Sequence, residues 1–180
     1  IQLLFEFERY YNEIPFKEEQ QEGLRYYFKN EFYSYTDGII LHSMIRHYQP
    51  KRIIEIGSGF SSSVMLDTNE LFFNKQIDLT FIDPYPERLL SLITEDDKKS
   101  TTIIVSDVQV IDLDTFKKLE AGDILFVDSS HVAKTGSDVN YILFEILPIL
   151  KSGVIIHFHD IFFPFEYPKD WVYKGLNWNE

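Results

Sequence analysis

The segment from Arg52 to Ser63 (RIIEIGSGFSSS) limits the possible folds of this chain more than any other stretch. Ile53, Ile54 and Ile56 form a short apolar, β-branched run, which reads as a buried strand. Gly57 and Gly59 follow at once, so the backbone can turn sharply and approach a ligand with no Cβ in the way. The next residues read as a helix whose N-terminus points at that turn. A strand, a tight glycine turn and a helix in this order predict a site for a nucleotide-like ligand.

The same alternation runs along the rest of the chain. A helix is predicted from Asp37 to Tyr48, capped by Thr36 or Asp37 and stopped by Pro50. After the glycine turn come a helix over Phe60 to Phe73, a strand over Leu79 to Pro84 and a helix starting at Pro86. Then follow a strand over Thr101 to Val108, a short helix over Asp112 to Leu119 and a strand over Gly122 to Asp128. Ser137 caps a helix towards Ile149, interrupted by Pro148, and Gly153 to Phe158 is a fifth strand. Nearly continuous apolar strands separated by helices imply an α/β, doubly wound, Rossmann-like, mostly parallel sheet with helices on both faces. Ligands in such sheets bind beyond the carboxyl ends of the strands, where the strand order reverses. Asp83, Asp107, Asp128 and Asp160 all fall at or just past those ends.

At 180 residues and 44% hydrophobic, the chain has material for one well-buried core, read as an N-terminal segment over 1–34 and a Rossmann-like domain over 35–180. The N-terminal segment is aromatic and acidic with poor periodicity, and short helices packed on a core edge are expected there. A formal charge of -12 and no basic stripe argue against nucleic acid as a partner. No cysteine is present, which suits a reducing, cytoplasmic setting, and no apolar run is long enough for a membrane span.

Glu55, two residues before Gly57 on the same strand, is awkward beside a pyrophosphate but comfortable beside a cation such as a sulfonium or an α-amino group. Asp83 lies one helix beyond Gly57, the place from which an acid accepts from ribose hydroxyls. A second constellation gathers Asp128, His131, His157, His159 and Asp160. Its oxygen and imidazole donors suit Mg²⁺, Mn²⁺ or Fe²⁺. Without a metal, His131 or His159 could act as general base, and hydrogen bonding to loop backbone is the structural alternative. Phe162 to Pro168 is too Pro-broken for a helix and reads as an aromatic wall, a lid or a packed loop; Trp171, Tyr173 and Trp178 extend it. His42 and His47 carry no assigned chemistry.

Glu55-Ile56-Gly57-Ser58-Gly59, Asp83, Asp107 and Asp128 resemble the successive motifs of class I S-adenosylmethionine-dependent methyltransferases. The text from Asp123 to Pro168 is similar to a bacterial branch with Ser-Ser-His and His-Asp-Ile-Phe signatures. The resemblance implies that Gly57, Ser58 and Gly59 follow the methionine part of the cofactor, that Asp83 holds the ribose diol, and that Asp107 and Val108 meet the adenine. Ser61 and Ser62 would reach the methionine carboxylate, with Glu55 also in the cofactor site. It implies a metal set of Asp128, His159 and Asp160, although many metal-dependent members have an acid at the His159 position. Asp128, His131 and His159 are the catalytic candidates. The expected acceptor is a small-molecule or sugar hydroxyl. The family sheet has seven strands where five are legible here, which predicts a shortened domain and self-association, a homo-oligomer, through the uncovered edge.

Two other functions fit the same pattern. A nicotinamide-dependent oxidoreductase is disfavoured by Ser62 in place of a third glycine and by Glu55 where phosphates would lie. A non-catalytic ligand-binding or assembly module of the same fold would not depend on Asp128 or His159.

Overall fold

A computed structural model describes residues 2–180. The order of elements begins with helix α1 (Gln2–Tyr11), helix α2 (Tyr35–Tyr48), strand β1 (Arg52–Ile56) and helix α3 (Phe60–Phe73). Strand β2 (Asp78–Ile82), helices α4 (Glu87–Leu92) and α5 (Glu95–Ser100) and strand β3 (Thr102–Ile104) follow. After two 3-10 turns come strand β4 (Ile124–Val127), helix α6 (Asp138–Tyr141), strand β5 (Ile155–Phe158) and helix α7 (Lys169–Tyr173). The five strands form one sheet in the order β3-β2-β1-β4-β5, and every pairing is parallel. The order reverses between β1 and β4, so the crevice above their carboxyl ends is where this topology opens a ligand site.

Period-two alternation splits each strand between two cores. Ile53, Leu79, Phe81, Ile124 and Phe126 pack with Leu41, Ile45, Val64 and Met65 of α2 and α3 on one face. Ile54, Ile56, Ile82, Leu125 and Val127 pack with Val108, Phe116, Ile142 and Ile146 on the other. The N-terminal segment enters the first core directly: Phe16, Tyr26 and Tyr33 are buried in it.

Its anchor is Arg25. The guanidinium bonds Asp67 of α3 at 2.7 Å, Asp97 of α5 at 2.6 Å and Glu70 at 2.8 Å. Asp67 also accepts from the backbone N–H groups of Arg25 and Tyr26.

Several boundaries differ from the sequence expectation. Ser34, not Thr36 or Asp37, caps α2, and Asp37 reaches back to accept from the Ser34 amide at 3.1 Å. The third strand is only three residues long, because β3 is a sheet edge and Val105 already faces solvent at 63% exposure. Ser137 does cap α6, accepting from the Asn140 amide, but the helix widens to a π turn over Ile142–Ile146 and tightens to 3-10 over Leu147–Ile149. Pro148 has no N–H for a regular ladder, which accounts for the change of winding there. No described helix is long and apolar enough to cross a membrane.

Candidate active site

Gly57 adopts φ +84°, and a Cβ there would lie 1.7 Å from the carbonyl oxygen of Asp128. The neighbouring strand end by itself therefore requires a glycine here, and the same residue lines the cavity described below. The loop is held from the other side by Asp83: its Oδ2 accepts from the Ser58 amide and hydroxyl, both at 2.8 Å, and its Oδ1 accepts from the Tyr85 amide at 2.8 Å.

Above the strand ends lies a cavity of about 620 Å³. Gly57, Ser58, Asp83, Asp107 and Val108 line one part of it, and Asp128, His131, His159 and Asp160 line another. The structure therefore brings part of each expected constellation to one place, without His157 of the second.

Four expected cofactor contacts do not reach the cavity. Glu55, Ser61 and Ser62 are buried, at 0%, 2% and 0% exposure. Glu55 points to the α3 side of the sheet, where Ser61 Oγ donates to its Oε1 at 2.5 Å and Ser62 Oγ donates to its Oε2. Gly59 is buried at the start of α3, and its amide donates to Ser62 Oγ at 3.0 Å. These residues build the floor under the loop, a role set by the odd-numbered face of β1. Burial pushes the Glu55 carboxyl up to about 8, against the opposing pull of the two hydroxyls.

The metal set also differs from expectation. Oxygen or nitrogen atoms of Asp128, His131 and Asp160 lie within 4.8 Å of one another, and His159 is not in that trio. The His159 ring instead packs 4.8 Å from Tyr33 and 6.3 Å from Phe126. Its Nε2 stands 3.5 Å from Asp160 Oδ1.

His131 and Asp160 both hold left-handed backbone, φ 57° and 59°, and both line the cavity. His131 lies between two carboxylates, with Nε2 3.3 Å from Asp128 and Nδ1 2.7 Å from Glu180. Burial alone would lower its pKa, but Asp128 and Glu180 outweigh it and push the imidazole up to about 9. Both ring nitrogens of His131 therefore face carboxylates. His157 is the opposite case: burial lowers it to about 4, it stacks 4.4 Å from Phe126, and its Nε2 has no partner.

The donor set fits a divalent cation. Two carboxylates and an imidazole converge, and Glu180 on the far ring nitrogen is the outer partner that metal-bound histidines use. The Ser129 hydroxyl, also in the cavity wall, is buried without a partner.

Sequence reasoning missed Phe32, Arg88 and Lys134, which line the same cavity. Phe32 sits in a segment without periodicity, and Arg88 and Lys134 belong to no motif. The Phe162–Pro168 stretch does not line the cavity; of the aromatic tail only Trp178 does, packed 4.4 Å from the His131 ring.

An all-parallel sheet with a glycine loop, two strand-end acids and a carboxylate-histidine cluster around one cavity defines a Rossmann-like fold with its candidate site at the switch in strand order. A methyltransferase-domain family model matches residues 54–161, and the chain belongs to that family. An uncharacterized protein of Archaeoglobus fulgidus is 37% identical over 97 residues, which are 53% of this chain and 42% of that protein. The chain thus spans less than half of that relative's length.

Among solved structures, SAH-bound methyltransferase PaMTH1 of Podospora anserina superposes with a TM-score of 0.53 at 21% identity, over 97% of this chain and 72% of that one. The apo-structure of CmcI-N160 gives 0.52 at 18% identity, over 93% and 72%. At such identities these likenesses establish the fold.

Proposed function

We propose that the chain is an S-adenosylmethionine-dependent methyltransferase that acts on a hydroxyl of a small molecule or sugar. One observation carries the reading: the glycine loop, Asp83, Asp107 and the Asp128-His131-Asp160 cluster share a single cavity. The SAH-bound state of PaMTH1 supports the cofactor class.

The electrostatics favour the same ligand. Asp83, Asp107, Asp128, Asp138 and Asp160 line the cavity against Arg88 and Lys134, so a pyrophosphate is repelled and a sulfonium is attracted. This argues against a nicotinamide dinucleotide.

The cofactor supplies a methyl group already activated on a cationic sulfur; the protein's task is to position and to manage a proton. Asp83 accepts from the ribose diol. Three of its roughly four acceptor positions are used by Ser58 and Tyr85, and rotation of the Ser58 hydroxyl frees another. Asp107 and Val108 flank the adenine.

On the acceptor side, Asp128, His131 and Asp160 are the residues that would hold a divalent cation, which would polarise the acceptor oxygen as a Lewis acid. His131 is fixed in place by Glu180. His159, the other imidazole in the cavity wall, is the group to receive the acceptor's proton.

Calorimetric titration with S-adenosylhomocysteine (SAH) tests the reading. Asp83→Asn should weaken binding by about tenfold or more, since a lost hydrogen bond to a charged group costs roughly 1.5–3 kcal/mol. Unaltered affinity in that variant would remove Asp83 from the ribose site.

A further inference from the structure

Glu55 takes up the hydroxyls of Ser61 and Ser62, so neither serine is free to receive the carboxylate of an amino-acid group. An anion in this cavity meets five aspartates and needs a cation close by. The chain has five arginines. Arg25, Arg46 and Arg52 are ion-paired, and Arg9 bonds Tyr10 and His47. The Arg88 guanidinium alone has neither an ion pair nor a hydrogen bond among the described residues.

Its position is nonetheless fixed. The Arg88 Cζ lies 3.6 Å from the centroid of the Phe32 ring, a cation–π seat that orients the planar fork while leaving its donors free. Its stem packs against the end of the glycine loop, 3.0 Å from where a Gly59 Cβ would stand. Phe32 in turn stacks at 6.5 Å on Phe60, the first residue of α3. Arg88 and Phe32 both line the cavity. Of the other cations in its wall, His131 is engaged by Asp128 and Glu180, and Lys134 belongs to a different loop, one tied by Gln109 to the carbonyl of Gly136.

We propose that Arg88, seated on Phe32 beside the glycine loop, binds the carboxylate at the amino-acid end of the adenosyl ligand. The inference rests on the adenosyl reading of the cavity and adds the residue that discriminates the full cofactor from its truncated forms. A guanidinium suits this role because its planar fork pairs with both carboxylate oxygens.

The test compares two ligands by calorimetry on the full chain: SAH and 5′-methylthioadenosine, which keeps the adenosine and the thioether but lacks the amino-acid end. Arg88→Ala should lower SAH affinity about ten- to hundredfold and leave 5′-methylthioadenosine within twofold, so that the ratio of the two affinities collapses. Arg88→Lys should retain part of the ratio and Phe32→Ala should lose part of it. Arg88 is exposed, so the variants are expected to fold, and an unchanged thermal midpoint verifies this. If both ligands bind and the ratio in Arg88→Ala equals that of the unmodified chain, the carboxylate lies elsewhere and the inference falls while the adenosyl reading stands. If neither ligand binds the unmodified chain, the adenosyl reading itself fails.

Discussion

Glu55 shows how far one position's role can depart from its motif. Beside a glycine turn an acid invites assignment to the ligand, yet the alternation of β1 sends this side chain to the α3 face, into a fully buried pocket shared with two serines. Its pKa of about 8 lies above the ordinary carboxylate value because burial disfavours the charged form. Between roughly pH 4.5 and 8 the folded chain therefore holds a proton that the unfolded chain has released, and folding stability from this group falls as pH rises through that window. The slope is at most about 1.4 kcal/mol per pH unit for one proton. Glu55→Gln keeps the shape and removes the titration. Urea unfolding of both proteins from pH 5.5 to 8.5 should show the unmodified chain losing ground to the variant as pH rises. A difference that stays flat would mean that Glu55 is ionised in the folded state throughout.

At the scale of elements, the strands and most helices from α2 to β5 are legible in sequence because apolar runs and Ser, Pro or Gly at their ends mark them; α5 is the exception, since Glu95–Ser100 (EDDKKS) carries no apolar residue. The segment before α2 is not, because its order comes from one long-range contact set: Arg25 to Asp67, Asp97 and Glu70. No local pattern encodes a partner 42 or 72 residues away. The candidate site follows the same division. Asp83, Asp107, Asp128 and Asp160 are visible as strand-end acids, whereas Phe32 and Arg88 become neighbours only once that segment is docked. Nor could sequence choose His131 over His159 for the acid cluster, since both histidines lie within three residues of a strand-end acid and only the fold shows which one meets Asp128 and Asp160. Asp67→Ala tests the docking. It would leave the Arg25 guanidinium and two amides short of a buried partner, and loss of one member of such a pair costs about 3–5 kcal/mol. The urea midpoint should fall accordingly, and proteolysis should begin within residues 12–34. A loss below about 1 kcal/mol would show that aromatic packing, not Arg25, holds the segment.

Over the whole molecule, the formal charge of -12 and the five cavity aspartates act in the same direction. S-adenosylmethionine and SAH share the adenosine, the amino group and the carboxylate, so on the proposed assignment Asp83, Asp107 and Arg88 would contribute nearly equally to both. What differs is the single positive charge at sulfur, which the field of the protein attracts in one ligand and not in the other. The ratio of their affinities therefore isolates the field. At 20 mM salt the Debye length exceeds 20 Å and distant surface acids contribute; at 0.5 M it is about 4 Å and only the cavity wall remains. The preference for the sulfonium should accordingly shrink by about three- to tenfold across that range, while SAH affinity changes little. Calorimetry at four salt concentrations checks this, with potassium chloride as the only variable. A ratio independent of salt would place the discrimination wholly in the aspartates around the sulfur, with no part for the net charge of the chain.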